Sequence, residues 1–321
     1  MVKSKSKKTR KVLRRVSSER SNKVLLILVG ILFITNIILI SRVFGTRISA
    51  FIQKKESVPQ QQVKEDPLLE EINPSEGVQL RVKYGDLGPK MLEIGVIDLE
   101  KFKQIYDQSN EQLTQEQLDI LTKGSDKEIK ITRENSHFLL NFFWAVGLAN
   151  KSKILDEGEM VKNGDTGNFA STGGWPLSSG EGMSYYSKNS LMSLTPEQED
   201  LVQEVASNIY RPCCGNSTAF PDCNHGMALL GLLELMASQG ASESQMYNLA
   251  KYVNAYWFTP NYYDLAQYFK AKEGKDFKDI DAKTILGKEF SSSSGYYEAK
   301  KWLIDKGLVK EPPNQGGSCG A

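Results

Sequence analysis

Apolar residues along most of this chain recur at helical rather than strand spacing. Leu201, Val202, Val205 and Ile209 share one face of a segment that opens Thr195-Pro196-Glu197-Gln198. That opening combines a capping hydroxyl, a proline at the first helical position and a glutamine at the third. It predicts a helix running to about Tyr210 and closed by Pro212. The same logic predicts a helix capped by Asp98 over Leu99–Tyr106, one opened by Thr114 with Gln117, and one capped by Asn135 through the apolar Phe138–Leu148. Ser242 with Gln245, and Thr259 with Pro260, open two more, and Lys300–Lys306 belongs to a last one. Gly226–Met236 reads GMALLGLLELM, a helix apolar on every side, which Asp222 or Asn224 can cap and Gly240 stops. Only Val78–Val82 alternates as a short strand does. The expected fold class is mostly α, with a globular helical domain over 78–310, about 230 residues and long enough for a real core.

A second apolar run has no periodicity at all. Val24–Ser41 carries no charge, with Thr35, Asn36 and Ser41 as its polar interruptions. As a helix it spans about 27 Å, close to the hydrocarbon thickness of a bilayer. A cleaved signal peptide would have a shorter apolar core and a small-residue cleavage site, whereas Arg42-Val-Phe-Gly-Thr-Arg47 follows. The net charge of +1 hides ten Lys and Arg residues among the first twenty-three, against the single acid Glu19. Beside an apolar run such an arm sets orientation rather than binding nucleic acid. The expectation is a single transmembrane helix over 24–42, a basic cytoplasmic arm over 1–23 and a linker over 43–77. The helical domain is then extracytoplasmic, with a Gly-rich tail over 311–321. The expected partners are the lipid bilayer and another extracytoplasmic or membrane protein, with no nucleic acid.

Candidate chemistry is concentrated in one place. Three of the four cysteines and one of the two histidines, Cys213, Cys214, Cys223 and His225, fall within thirteen residues, and Cys319 lies in the tail. Thiolate and imidazole bind zinc or copper, and four such donors complete a tetrahedral shell. Cys223 and His225 sit where a helix begins, and its partial positive charge favours a thiolate. Adjacent cysteines turn toward one ion less easily than a Cys-x2-Cys pair, so Cys319 or His137 is an alternative donor. Met227 suits core packing, and Glu234 suits the helix rim. An extracytoplasmic thiol cluster can equally hold a reactive dithiol or a bracing disulfide. Asn216-Ser-Thr218 matches a glycosylation acceptor, a triplet that arises often by chance. No Ser-His-Asp set, phosphate-binding glycine loop or HExxH helix is present in the sequence.

Arg211, Cys213 and Asp222 are followed by a helix, the turn Gly240-Ala-Ser242-Glu243 and a second helix ending Tyr256-Trp257-Phe258. This order, over about fifty residues, resembles the membrane-anchored thiol reductases of cytochrome c maturation. The resemblance implies a helical hairpin and extracytoplasmic thiol chemistry. Cys213-Cys214 stands where that family has Cys-x-x-Cys, and Cys223 and His225 are additions. Three functions are therefore expected: a binding protein for zinc or copper, with Cys213, Cys214, Cys223, His225 and Cys319 as ligands; a thiol–disulfide oxidoreductase; and a surface interaction module. The last would use the aromatic Gly/Ser-rich loop Asn163–Asn189, with its cysteines bracing the fold.

Overall fold

The structure, a computed structural model, describes residues 66–109, 111–162 and 164–310. Helix α1 (Pro67–Ile72) leads into strand β1 (Val78–Gly85), helices α2 (Leu87–Ile94), α3 (Leu99–Gln108) and α4 (Gln115–Lys123), and strand β2 (Ser125–Ile131). Helix α5 (Ser136–Ala149) and the short helices α6 (Lys153–Glu157) and α7 (Glu159–Lys162) precede a long loop. Then come α8 (Pro196–Asn208), α9 (Asn224–Ser238), α10 (Glu243–Trp257) and α11 (Thr259–Glu273), followed by α12 (Ala282–Leu286), α13 (Lys288–Ser291) and α14 (Ser293–Asp305). The mostly helical class is as expected. Asp98 accepts from the amides of Glu100 and Lys101, and Thr114, Thr195 and Ser242 each close a reciprocal capping box.

The core is built around α5 and α9. Both are buried on nearly every side, which is why their apolar residues encircle the helix instead of forming a stripe. Their backbones touch where two glycines meet. A Cβ on Gly147 would fall 2.1 Å from the Met227 carbonyl oxygen, and one on Gly231 2.4 Å from that of Phe143. Only glycine allows so close a crossing. The start of α9 is thereby fixed against the middle of the domain.

Several expectations are corrected. Among the described residues no helix is long and apolar enough to cross a membrane. The most apolar ones, α5 and α9, have 14 and 15 residues and pack against each other. At about 1.5 Å per residue they fall well short of a bilayer core. The single-pass placement, N-terminus cytoplasmic and C-terminal domain extracytoplasmic, is corrected on that finding; the run 24–42 and the arm 1–23 lie outside the described residues. Part of the expected linker 43–77 folds: Asp66 caps α1, Ile72 is fully buried, and Arg133 donates to Glu70 Oε2 at 2.9 Å. Val78–Val82 is a strand, and it pairs antiparallel with β2, which charge-rich Ser-Asp-Lys-Glu did not announce. Asn135 does not cap α5. Its Oδ1 accepts from the Thr132 amide and its Nδ2 donates to the Lys130 carbonyl, so it ties the chain between β2 and α5.

The Gly/Ser-rich loop is packed rather than open. Trp175 is buried, meets Trp144 edge to face with ring centroids 4.7 Å apart, and donates to the Val96 carbonyl. Trp144 in turn donates to the Ser171 carbonyl at 2.7 Å, and the Ser171 amide donates to the carbonyl of Asp222 at 3.2 Å. The loop thus runs directly behind the cysteine cluster.

Candidate functional site

The segment from Arg211 to Cys223 is a loop between α8 and α9. Pro212 cannot continue a helix, and the chain turns back so that Tyr210 and Ser217 form an antiparallel bridge. Thr218 fastens this turn: its amide and its hydroxyl both donate to the Ile209 carbonyl. The amide of Ser293, the first residue of α14, donates to the Cys214 carbonyl at 2.8 Å. Asn254 of α10 donates to the Tyr210 carbonyl at 3.0 Å. The Ala219 amide donates to the Ala206 carbonyl of α8 at 3.1 Å, so the loop is held by three separate helices.

Neither Asp222 nor Asn224 caps α9. The cap is Cys223, whose Sγ accepts from the Gly226 amide at 3.4 Å. This leaves Asp222 free to turn toward Arg211. Nη2 of Arg211 donates to Asp222 Oδ1 at 3.0 Å and to Cys223 Sγ at 3.5 Å, and the side chain has no solvent exposure. The guanidinium lies against the first turn of α9, where a Cβ on Gly226 would fall 2.7 Å from Nη2. A cation at a helix N-terminus is unfavourable unless anions surround it. Burial works against the Arg211 charge, yet Cys223 first, then Cys214, Cys213 and Asp222, raise its pKa overall. Asn216, in the expected chance glycosylation triplet, donates to Asp222 Oδ2 at 2.8 Å.

Two triplets of donor atoms converge. Cys213, Cys223 and His225 form one, and Cys214, Asp222 and Cys223 the other; within each triplet the ligand atoms lie within 4.8 Å of one another. Cys213 Sγ is 3.7 Å from Cys223 Sγ. That separation is well beyond the roughly 2.05 Å of a disulfide bond. The thiol pKa of Cys223 is depressed well below the usual range, by hydrogen bonds from Cys213 and Cys214, then by Arg211 and His225, against the opposing effect of burial. Cys213 is pushed up, through the hydrogen bonds it shares with Cys214 and Cys223 and through burial. These surroundings favour ionisation of Cys223 over Cys213. The His225 ring rests on Phe258, centroids 4.4 Å apart, with Trp257 at 6.0 Å, which fixes its orientation.

Of the expected ligands, Cys213, Cys214, Cys223 and His225 are gathered here, and Cys319 lies outside the described residues. His137 is elsewhere engaged, its Nδ1 2.9 Å from Glu111 Oε2. Met227 is core, as expected, but Glu234 is not at a rim: it is fully buried and accepts from Asn150 Nδ2 at 2.9 Å. The sequence marks Asn216 only as part of a glycosylation triplet; its spacing from Asp222 carries no signal before the loop is folded. Comparison with known proteins yields no matching family model, no matching curated protein and no matching solved structure.

Proposed function

We propose that this protein binds a transition metal, zinc or copper, through Cys213, Cys223 and His225. The observation that carries the reading is the 3.7 Å separation of the Cys213 and Cys223 sulfurs, with the imidazole of His225 beside them. Two thiolates on one tetrahedral zinc, at about 2.3 Å each, stand about 3.8 Å apart. The donor set, two soft sulfurs and one imidazole, suits zinc and reduced copper and excludes hard cations such as calcium and magnesium. Arg211, Asp222 and Asn216 supply the outer hydrogen bonds that orient ligands in such centres. Metal analysis of the full-length protein, purified without chelator under reducing conditions, tests the reading. Stoichiometric zinc or copper that disappears in Cys223→Ser supports it; metal-free protein that also fails to take up added zinc or copper ends it.

A second reading has its own support. A thiolate at Cys223 with Cys213 at 3.7 Å is the arrangement of an attacking and a resolving thiol. The Cys223 sulfur would attack a partner's disulfide and release one partner thiol. Cys213 would then close on Cys223 and release the second, passing two electrons and two protons to the partner. The resemblance to thiol reductases points the same way. Counting thiols before and after exposure to a small disulfide separates the two: reversible loss of two thiols in metal-free protein favours exchange.

A further inference from the structure

We propose that the centre is binuclear, with the Cys223 sulfur bridging two metal positions. This rests on the metal-binding reading above. One position is held by Cys213 and His225, the other by Cys214 and Asp222, and Cys223 belongs to both triplets. A thiolate sulfur has three lone pairs; with two of them on metal, the third is left for the Gly226 amide and Arg211 Nη2, which both donate to this sulfur.

Three features of the loop agree. Adjacent cysteines do not converge easily on one ion, but each can serve a different ion on either side of a shared sulfur. Cys214 is also not a loose spare. Its amide donates to the Arg211 carbonyl at 3.3 Å and its carbonyl accepts from Ser293, so its backbone is clamped from both sides. Finally, Asp222 stands next to the helix start yet leaves the cap to Cys223 and turns toward the sulfurs. Asn216 and Arg211 each donate to a different one of its oxygens. Ligating carboxylates are held in this way, and each oxygen keeps a lone pair for a metal.

The two positions differ in character. Cys213, Cys223 and His225 give two sulfurs and a nitrogen, which suit zinc or reduced copper. Cys214, Asp222 and Cys223 give two sulfurs and a carboxylate oxygen, and the harder oxygen favours a divalent ion of the zinc class over reduced copper. Each triplet supplies three protein donors where zinc takes four, so each ion retains a position for water or a small ligand.

The test uses the reduced full-length protein, loaded with zinc, desalted and analysed for metal per chain. Two zinc ions are expected in the wild type, one each in Cys214→Ser, Asp222→Asn and Cys213→Ser, and none in Cys223→Ser. A single zinc that survives both Cys214→Ser and Asp222→Asn overturns the binuclear centre and leaves the mononuclear reading standing. No zinc at all overturns both. Because a variant can fail to fold, cobalt titration of the wild type provides a second measurement. A bridging thiolate couples two cobalt ions, so the paramagnetic resonance signal that grows with the first equivalent is expected to fall with the second. A signal that doubles at two equivalents overturns the shared sulfur.

Discussion

The Cys223 sulfur lies 3.5 Å from Nη2 of Arg211, a guanidinium with no exposure to solvent. Among the described residues, Nε and Nη1 of the same side chain find no hydrogen-bond acceptor. The arginine is therefore kept for its charge, which faces the sulfur cluster and Asp222, more than for a full set of hydrogen bonds. Removing one member of a buried pair costs about 3–5 kcal/mol, because the other is left uncompensated. Arg211→Met is accordingly expected to lower unfolding stability by that order in urea titrations of the metal-free protein. It is also expected to slow alkylation of Cys223 near neutral pH severalfold, since the thiolate loses its cation. Arg211→Lys, which keeps charge without the planar fork, should lie between. A loss below about 1 kcal/mol in Arg211→Met would show that the pair does not hold the loop.

Glu234 gives a pH dependence whose sign is fixed. Burial raises its pKa from 4.5 to about 8, and the Ser152 and Asn150 side chains offset this only in part. Below pH 4.5 folded and unfolded chains both carry the proton, and the contribution of Glu234 is fully present. Between 4.5 and 8 the unfolded chain ionises first, so stability falls as pH rises, by at most about 1.4 kcal/mol per unit. Above 8 the loss is complete. Glu234→Gln removes the ionisation. Its urea midpoint is expected to lose this slope and to exceed that of the wild type at pH 8.5, by roughly 2–4 kcal/mol in stability. Parallel pH profiles of the two proteins would contradict it.

The contact of α5 with α9 predicts a steric effect that propensity would miss. Alanine favours a helix over glycine by about 0.5–1 kcal/mol. At Gly147, however, the new Cβ would meet the Met227 carbonyl oxygen at 2.1 Å, a backbone atom that cannot step aside. Overpacking of this kind costs about 1–3 kcal/mol or more, so the clash wins. Gly147→Ala is expected to lower the melting temperature by several degrees. An unchanged or raised melting temperature would mean that the helices are not in contact there.

Thr195 provides a control that separates stability from site chemistry. Its hydroxyl accepts from the Gln198 amide while Gln198 Oε1 accepts from the Thr195 amide. Thr195→Ala is expected to cost about 1 kcal/mol in unfolding experiments. Zinc stoichiometry and Cys223 alkylation should stay as in the wild type, because the capping box lies at the far end of α8 from the loop.

Helix starts were legible because they depend on residues within one turn. Asp98, Thr114, Thr195 and Ser242 cap as their sequences require. Asn135 failed as a cap because a more distant competitor, the end of β2, took its side chain. Strand β2 was missed because its outward residues are charged and its inward ones, Ile129 and Ile131, gain meaning only opposite β1. Glu234 looked like a rim residue because a helix apolar all round leaves no visible face for it, and only the packing of its neighbours buries it.

The amino-acid sequence by itself determined that soft donors cluster ahead of an apolar helix and that the domain is mostly helical, because residue type and short-range spacing are local properties. Folding decided which of those donors meet. Cys223 caps α9 and shares hydrogen bonds with both Cys213 and Cys214, Asp222 turns from the helix to Arg211, and Cys223 belongs to both donor triplets. The physical reason is that a buried guanidinium requires anions around it, and that requirement is met by a loop held in place by α8, α10 and α14, whose contacts no local pattern encodes.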